Sequence, residues 1–260
     1  MKADKAPIAV MAHLVAGYPT TPIARAAAMG LAEGGVSYFE VQFPFSDPSA
    51  DGKAIQSACA EVLSRGYRVS EGFAFASELH ASYPLIPVYI MTYGNLAYKI
   101  GIEEFVSRAK DAGVSGLIIP DLPFDSDEGL DEACRKQGLV SIPVAAPSMT
   151  GARLAKLSAL KRPYVYAALR AGITGQSTTI DEKTVSFINE VCSAGGNEGT
   201  RVLGGFGIRT GEQSRALAPH VYAVVAGSVF VELIEKNSGA GESAVRSAVA
   251  EKAKELSGLK

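Results

Sequence analysis

Short apolar runs alternate with amphipathic stretches along the whole sequence, and this alternation restricts the fold more than any other feature. The runs are Ile8–Ala16, Tyr38–Phe43, Ile86–Met91, Gly116–Ile119, Val140–Val144, Tyr164–Leu169, Arg201–Gly204 and Val221–Val225. Each is mostly apolar on both faces, as a strand buried in a parallel sheet must be. Between them apolar residues recur with a helical period, as in Ile23–Ala32, Ala54–Leu63, Ile102–Ala112, Asp127–Lys136, Thr150–Leu160 and Lys183–Val191. Gly34, Gly66, Gly113, Gly138 and Gly195 stand where such helices should stop. About eight strand–helix units in a chain of 260 residues predict an α/β fold, a single (β/α)8 TIM barrel over 1–260. The competing architecture is an open flavodoxin-like or Rossmann sheet. It is disfavoured because no G-x-G-x-x-G follows the first run.

Composition excludes several function classes. Hydrophobic residues make up 47% of the chain, enough for a sizeable core. The net charge of -2 gives no reason to expect nucleic acid or an anionic membrane as partner. Cys59, Cys134 and Cys192 are far apart, and their odd number and spacing suit reduced, buried thiols in a cytoplasmic protein. The first apolar stretch is broken by His13, which makes a poor signal peptide and is too short to span a bilayer.

The segment from Tyr38 to Gly52 carries the strongest chemical signal. Glu40 interrupts an apolar run. A barrel strand has no free edge, so this carboxylate faces either the interior or the helix layer. A buried carboxylate is costly unless paired, and burial tunes such a group for proton transfer near neutral pH. An ion pair that only holds the barrel together is the alternative. Asp47 and Asp51 follow in the next loop, at the C-terminal mouth where barrel active sites are built. Ser46-Asp47-Pro48 and Asp51-Gly52 are also good turn sequences, and for Asp47 alone the turn reading is the stronger.

Three glycine-containing turns come late: Arg170–Gly175, Gly204–Ile208 and Ala226–Val229. Each follows a predicted strand. Glycine lets backbone N–H groups approach an anion, and Gly227-Ser228 opens a helix whose N-terminus favours negative charge. Loops after the seventh and eighth strands commonly hold phosphate in barrels. A phosphate-bearing ligand is therefore expected, although each turn alone would be only a turn. His80 and His220 lie away from the predicted mouth, and the histidines and cysteines form no metal-ligand spacing. Tyr93 and Tyr166 end predicted strands and could be ordinary core aromatics. No G-x-S-x-G motif is present.

Glu40 followed by Pro44-Phe-Ser-Asp-Pro-Ser-Ala-Asp-Gly52 resembles the signature of tryptophan synthase alpha subunits. Ala16–Pro19, Met91–Asn95, Pro120–Pro123, Gly172–Gly175 and Gly205–Ile208 recur in that family's order, so the resemblance covers nearly the whole chain. It implies a carbon–carbon lyase of tryptophan (aromatic amino-acid) biosynthesis, cleaving indole-3-glycerol phosphate to indole and glyceraldehyde 3-phosphate without a cofactor or metal. Glu40 is then similar to the catalytic acid–base and Asp51 to the second catalytic carboxylate, which contacts the indole nitrogen. Ile55, Met91, Ile118 and Tyr166 match positions lining the indole pocket, with Tyr93 and His13 beside them. Thr174 matches a threonine of a closing loop. Gly175, Phe206, Gly207, Gly227 and Ser228 match a phosphate cradle, and Asp47 and Pro48 a loop that touches the beta subunit of an alpha2beta2 heterotetramer.

The sequence departs from the family pattern at several places. His13 replaces an aromatic or apolar residue, Gln42 a glycine, Lys53 a proline and Leu169 a serine, and the helix usual before the first strand is missing. These departures keep open an impaired allosteric subunit that activates a beta partner. A free-standing indole-3-glycerol-phosphate lyase is the other alternative. Another phosphate-binding barrel enzyme, such as an isomerase or aldolase, is disfavoured because no lysine is well placed as a nucleophile.

Overall fold

The computed structural model describes residues 7–169, 179–194 and 200–259. In chain order its strands are β1 (Ala9–Val15), β2 (Tyr38–Gln42), β3 (Val88–Met91), β4 (Gly116–Ile118), β5 (Val140–Ser141), β6 (Val144–Ala145), β7 (Tyr164–Ala168), β8 (Arg201–Gly205) and β9 (Ala223–Ala226). The helices are α1 (Thr21–Glu33), α2 (Lys53–Ser64), α3 (Val69–Ser82), α4 (Gly94–Ile100), α5 (Ile102–Asp111), α6 (Leu130–Gln137), α7 (Gly151–Ala159), α8 (Glu182–Ala194), α9 (Gly211–Leu217), α10 (Ser228–Ser238) and α11 (Glu242–Ser257). The strands pair in parallel in the order β5-β4-β3-β2-β1-β9-β8-β7-β6.

The two ends of that order are halves of one run, 140–145, and this closes the sheet. Ile142 N–H donates to the Leu117 carbonyl on one side, and the Pro143 carbonyl accepts from Tyr166 N–H on the other, each at 2.9 Å. The single fifth strand expected over Val140–Val144 is thus split in two. Pro143 has no N–H and a fixed φ, so the ladder cannot run through it unbroken.

Successive side chains of a strand point to opposite faces. Val10, Ala12 and Leu14 of β1 and Phe39 and Val41 of β2 pack outward into the helix layer. Met11, Tyr38, Tyr89, Met91, Ile118 and Tyr166 pack with one another in the barrel interior. Glu40 shares the parity of Tyr38 and His13 that of Met11, which places both in the interior rather than against the helices. Two faces of apolar residues on each strand are what made the runs continuous in the sequence.

Helix ends follow local chemistry. Thr20 and Thr150 accept from the N–H groups of Ile23 and Arg153 at the starts of α1 and α7. Gly138 ends α6 in the left-handed conformation. Gly195 lies outside the described residues. Helices α3, α4, α9 and α11 were not placed by periodicity. Helix α11 buries Val245, Val249, Ala253 and Leu256 and seats closely on α1 because that surface offers glycine. A Cβ on Gly30 would lie 2.2 Å from the Arg246 carbonyl oxygen, and one on Gly34 2.7 Å from that of Ala250.

Among the described residues no helix is long and apolar enough to cross a membrane. Cys59 and Cys134 are buried, as expected, but Cys192 is exposed. It lies near the end of α8, and its sulfur approaches the His220 carbonyl. The expected absence of a helix before β1 concerns residues 1–6, which lie outside the described residues.

Candidate active site

A cavity opens at the C-terminal end of the strands, where barrel active sites are built. His13 of β1 and Glu40 of β2 stand opposite each other in the register of those strands. His13 Nδ1 lies 2.7 Å from Glu40 Oε2, and the two residues are 3% and 4% exposed. Both line the cavity together with Asp51.

Asp51 sits just ahead of α2, and its side chain is held from behind. The Tyr93 hydroxyl and Gln42 Nε2 both donate to Oδ2, at 2.8 and 2.9 Å. Among the described residues Oδ1 has no donor. The backbone is fixed as well: Gln56 Nε2 donates to the Asp51 carbonyl at 2.8 Å, and Asp51 N–H donates to the Pro48 carbonyl at 3.0 Å. Ala50 N–H donates to the Tyr93 hydroxyl, and Phe45 stacks on the Tyr93 ring. Burial pushes the Asp51 carboxyl up from its ordinary value; the His13 charge and the bonds from Tyr93 and Gln42 oppose that rise. Burial and the negative charges of Glu40 and Asp51 push the Tyr166 phenol well above its ordinary range, so it stays neutral.

Ile55, Met91, Ile118, Tyr166 and Val225 give the cavity an apolar wall. Phe206, Gly207, Gly227 and Ser228 close another side. Phe206 and Gly207 are consecutive left-handed residues, with φ of 77° and 84°. For a phenylalanine this conformation costs about 1–3 kcal/mol, and such strain gathers at functional sites. Gly227 caps α10, whose N-terminus meets the cavity. A Cβ at Gly227 would stand in van der Waals contact with His13 Cβ and Cγ at 3.4 Å and Ile55 at 3.5 Å. Bare backbone and a helix N-terminus together suit an anion.

The structure therefore gathers His13, Glu40, Asp51 and the apolar and glycine positions around one space. Tyr93 is different: it does not line the cavity but lies behind Asp51 as its hydrogen-bond donor. It also follows β3 and caps α4 rather than ending a strand, and Tyr166 is in the middle of β7. Asp47 is exposed and Pro48 buried on the loop before Asp51. Thr174 and Gly175 lie outside the described residues.

Two residues of the site had no role in the sequence reading. Gln42 was noted only as a departure, although a polar residue two positions after Glu40 on an apolar strand must share its face. Arg209 lines the cavity one residue beyond the Gly205–Ile208 turn. Its guanidinium pairs with Glu232 of α10 at 3.0 Å through one nitrogen and more closely through the other. A lone cation after a glycine turn was the signal available for it.

A family model described as tryptophan synthase alpha chain matches residues 1–258. The tryptophan synthase alpha chain of Helicobacter hepaticus is 39% identical over 237 residues, covering 88% of this chain and 86% of that one. That of Methanosarcina mazei is 36% identical over 235 residues, covering 90% and 84%. Among solved structures, Mycobacterium tuberculosis tryptophan synthase is similar with a TM-score of 0.83 at 29% identity, covering 96% of this chain and 93% of that one. A tryptophan synthase complex from Pyrococcus furiosus gives 0.82 at 26% identity, covering 97% and 99%.

Proposed function

The chain belongs to the tryptophan synthase alpha chain family, and from that premise we propose how its cavity cleaves indole-3-glycerol phosphate. The chain is a carbon–carbon lyase of tryptophan biosynthesis, releasing indole and glyceraldehyde 3-phosphate, and it works with a tryptophan synthase beta subunit. The observation that carries the residue assignment is the meeting of two buried carboxyl groups, Glu40 and Asp51, with a glycine-lined helix N-terminus in one apolar cavity.

Breaking the bond between indole C3 and the glycerol chain requires the ring to accept an electron pair. Protonation at C3 makes the ring an iminium-like cation, and Glu40 supplies that proton. Asp51 faces the ring nitrogen and stabilises the positive charge that develops there. Glu40, now ionised, takes the proton of the hydroxyl next to the breaking bond. The C–C pair returns to the ring, a carbonyl forms on the glycerol fragment, and Glu40 ends as it began. Ile55, Met91, Ile118 and Tyr166 hold the flat ring, and Phe206, Gly207, Gly227 and Ser228 hold the phosphate, with Gly175 and Thr174 contributed by the loop after β7. Tyr93 and Gln42 keep Asp51 in place. No step needs a cofactor.

The direct test is indole release from indole-3-glycerol phosphate, measured with and without a beta subunit. Substrate turnover in the presence of the partner is expected; no indole under either condition would leave only the impaired-subunit reading. The cradle has its own test. Glyceraldehyde 3-phosphate should protect the protein from thermal unfolding at concentrations where glyceraldehyde does not, and Gly227→Val should abolish the difference. Equal protection by both compounds removes the cradle.

The beta subunit acts through the loop carrying Asp47 and Pro48, in an alpha2beta2 assembly in the cytoplasm, on one barrel domain formed by the whole chain. Asp47 is exposed, whereas the Pro48 carbonyl is bonded directly to Asp51 N–H. Pressure on this loop therefore reaches the catalytic carboxylate through one hydrogen bond, and a partner that favours one loop arrangement raises activity. Across a beta-subunit titration, Asp47→Ala should lower the activated rate more than the basal rate. Full activity in isolation, unchanged by the partner, would point instead to a free-standing lyase.

A further inference from the structure

His13 is polar, almost fully buried and bonded to the proposed acid–base, yet the mechanism above leaves it unused. Its Nδ1 meets Glu40 Oε2 at 2.7 Å, a length typical of a charge-assisted bond. Its Nε2 is buried and has no hydrogen-bond partner, and the same is true of Gln42 Oε1. One of these atoms is a potential donor and the other an acceptor, on neighbouring strands and on the same interior face. Gln42 in turn donates to Asp51, and Tyr93 donates to Asp51 from the other side. Polar groups thus run from Glu40 through His13 towards Gln42, Asp51 and Tyr93, inside an otherwise apolar barrel.

A lone hydrogen bond to a carboxylate would be satisfied by a neutral imidazole. The surroundings favour the charged form. Burial pulls the imidazole down, but the Glu40 bond, the Glu40 and Asp51 charges and the Gln42 amide outweigh it and raise His13 above 6.5. Arg209, the nearest cation of the cavity wall, is already paired with Glu232. Ile55 of α2 and Gly227 before α10 present only apolar or backbone atoms to the ring. Tyr166 stays neutral.

We propose that His13 is a positioning residue that works through Glu40, sharing one proton with its carboxyl group so that the buried pair, not Glu40 alone, is the proton store of the cleavage. This rests on the assignment of Glu40 as acid–base. Before reaction the proton lies on Nδ1 of an imidazolium beside the Glu40 carboxylate. It crosses to the carboxylate and passes to indole C3, leaving His13 neutral, with its remaining proton on Nε2, beside ionised Glu40. The substrate hydroxyl proton then returns to Glu40 and on to Nδ1. One proton leaves the pair and one comes back, so its charge is restored in each turnover.

The sign of the pH effect follows. A raised imidazole holds its proton to higher pH than in the unfolded chain, so its contribution to stability is present below 6.5 and is lost, with the stored proton, as pH rises through its folded value. The experiment has two arms. In the free protein, the His13 imidazole is titrated by NMR in wild type and in Glu40→Gln, with His80 and His220 assigned by substitution. The expected midpoint lies above 6.5 and falls by more than about one unit when the carboxylate charge is removed. A midpoint below 6.5 in wild type, or one unmoved by Glu40→Gln, overturns the proposal. In the second arm, indole release with beta subunit is followed against pH for wild type, His13→Phe and His13→Gln. Phenylalanine conserves volume, and glutamine keeps an N–H donor without a titrating group. Both should lower kcat by about tenfold or more near neutral pH, with little change in KM, and both should displace the alkaline limb. Rescue by His13→Gln with an unmoved limb would make the residue a mere hydrogen-bond prop and overturn proton sharing, and a rise confined to KM would make it a substrate contact. The NMR arm does not depend on turnover: a coupled imidazole in a protein that releases no indole would sink the cleavage assignment and leave the shared proton standing. An uncoupled imidazole in an enzyme killed by Glu40→Gln would do the reverse.

Discussion

Glu40→Gln is expected to remove nearly all indole release while leaving the barrel folded. General acid–base catalysis is worth about 10²- to 10⁴-fold, and Glu40 performs both proton transfers, so the loss should lie near the upper end. The substitution is nearly isosteric, and the new carbonyl can still accept a bond from His13 Nδ1–H. The outward neighbours Phe39 and Val41 are untouched. Thermal melts should therefore stay within a few degrees of wild type, and binding of glyceraldehyde 3-phosphate should persist, because the cradle is on β8, β9 and α10 and not on β2. The measurement is kcat/KM for indole release with the beta subunit, beside a melt and the phosphate-binding assay. Retained turnover together with a much lower melting temperature would mean that His13–Glu40 is an ion pair that only stabilises the interior.

Much of this architecture was written in residue patterns that local physics reads directly. Strands buried on both faces must be apolar on both faces, and that made the run over Tyr38–Phe43 conspicuous and Glu40 anomalous within it. The direction of Glu40 was open because a buried strand offers two faces; only the barrel's closure and the parity shared with Tyr38 chose the interior. The break at Pro143 was legible in principle, since proline has no N–H, but it needed knowledge that this run is where the sheet closes. The seating of α11 was hidden because its close approach depends on Gly30 and Gly34, more than two hundred positions away.

The candidate site was legible to a similar degree and for similar reasons. The carboxylates and glycine turns belong to short segments that carry their own signal. The support behind them does not: Tyr93 reaches Asp51 across 42 positions, and His13 reaches Glu40 across 27. From sequence Tyr93 passed for a pocket wall, because its place beside the Met91–Asn95 segment says nothing about which side of Asp51 it approaches. Gln42 was seen as a departure, not as a partner, since nothing along the chain announces that its amide meets a carboxylate nine residues on.

Asp51→Asn is the second large effect expected, and the hydrogen bonds explain why so small a change should matter. Oδ2 of Asp51 receives the Tyr93 hydroxyl and Gln42 Nε2, both at ordinary hydrogen-bond length. An asparagine satisfies these two donors only by turning its carbonyl oxygen onto them. Its NH2 group must then take the place of Oδ1, the atom that has no donor among the described residues and is assigned to the indole nitrogen. A donor would face the donor N–H of the ring, and the negative charge that stabilises the cationic ring would be gone. Flipping the amide relieves that clash but sets its NH2 against Tyr93 and Gln42, leaving a buried donor unmatched. Either way transition-state charge loses its counter-charge, a change worth about 10²- to 10³-fold in kcat where a single oriented group is removed. Turnover measured with saturating beta subunit should fall by that order, while glyceraldehyde 3-phosphate binding is preserved. Tyr93→Phe removes one of the two donors and should cost less than Asp51→Asn, because the charge remains and Gln42 still holds it. Equal losses in the two variants would show that Asp51 acts by holding the loop in place rather than by facing the ring, and full activity in Asp51→Asn would remove the carboxylate from the mechanism.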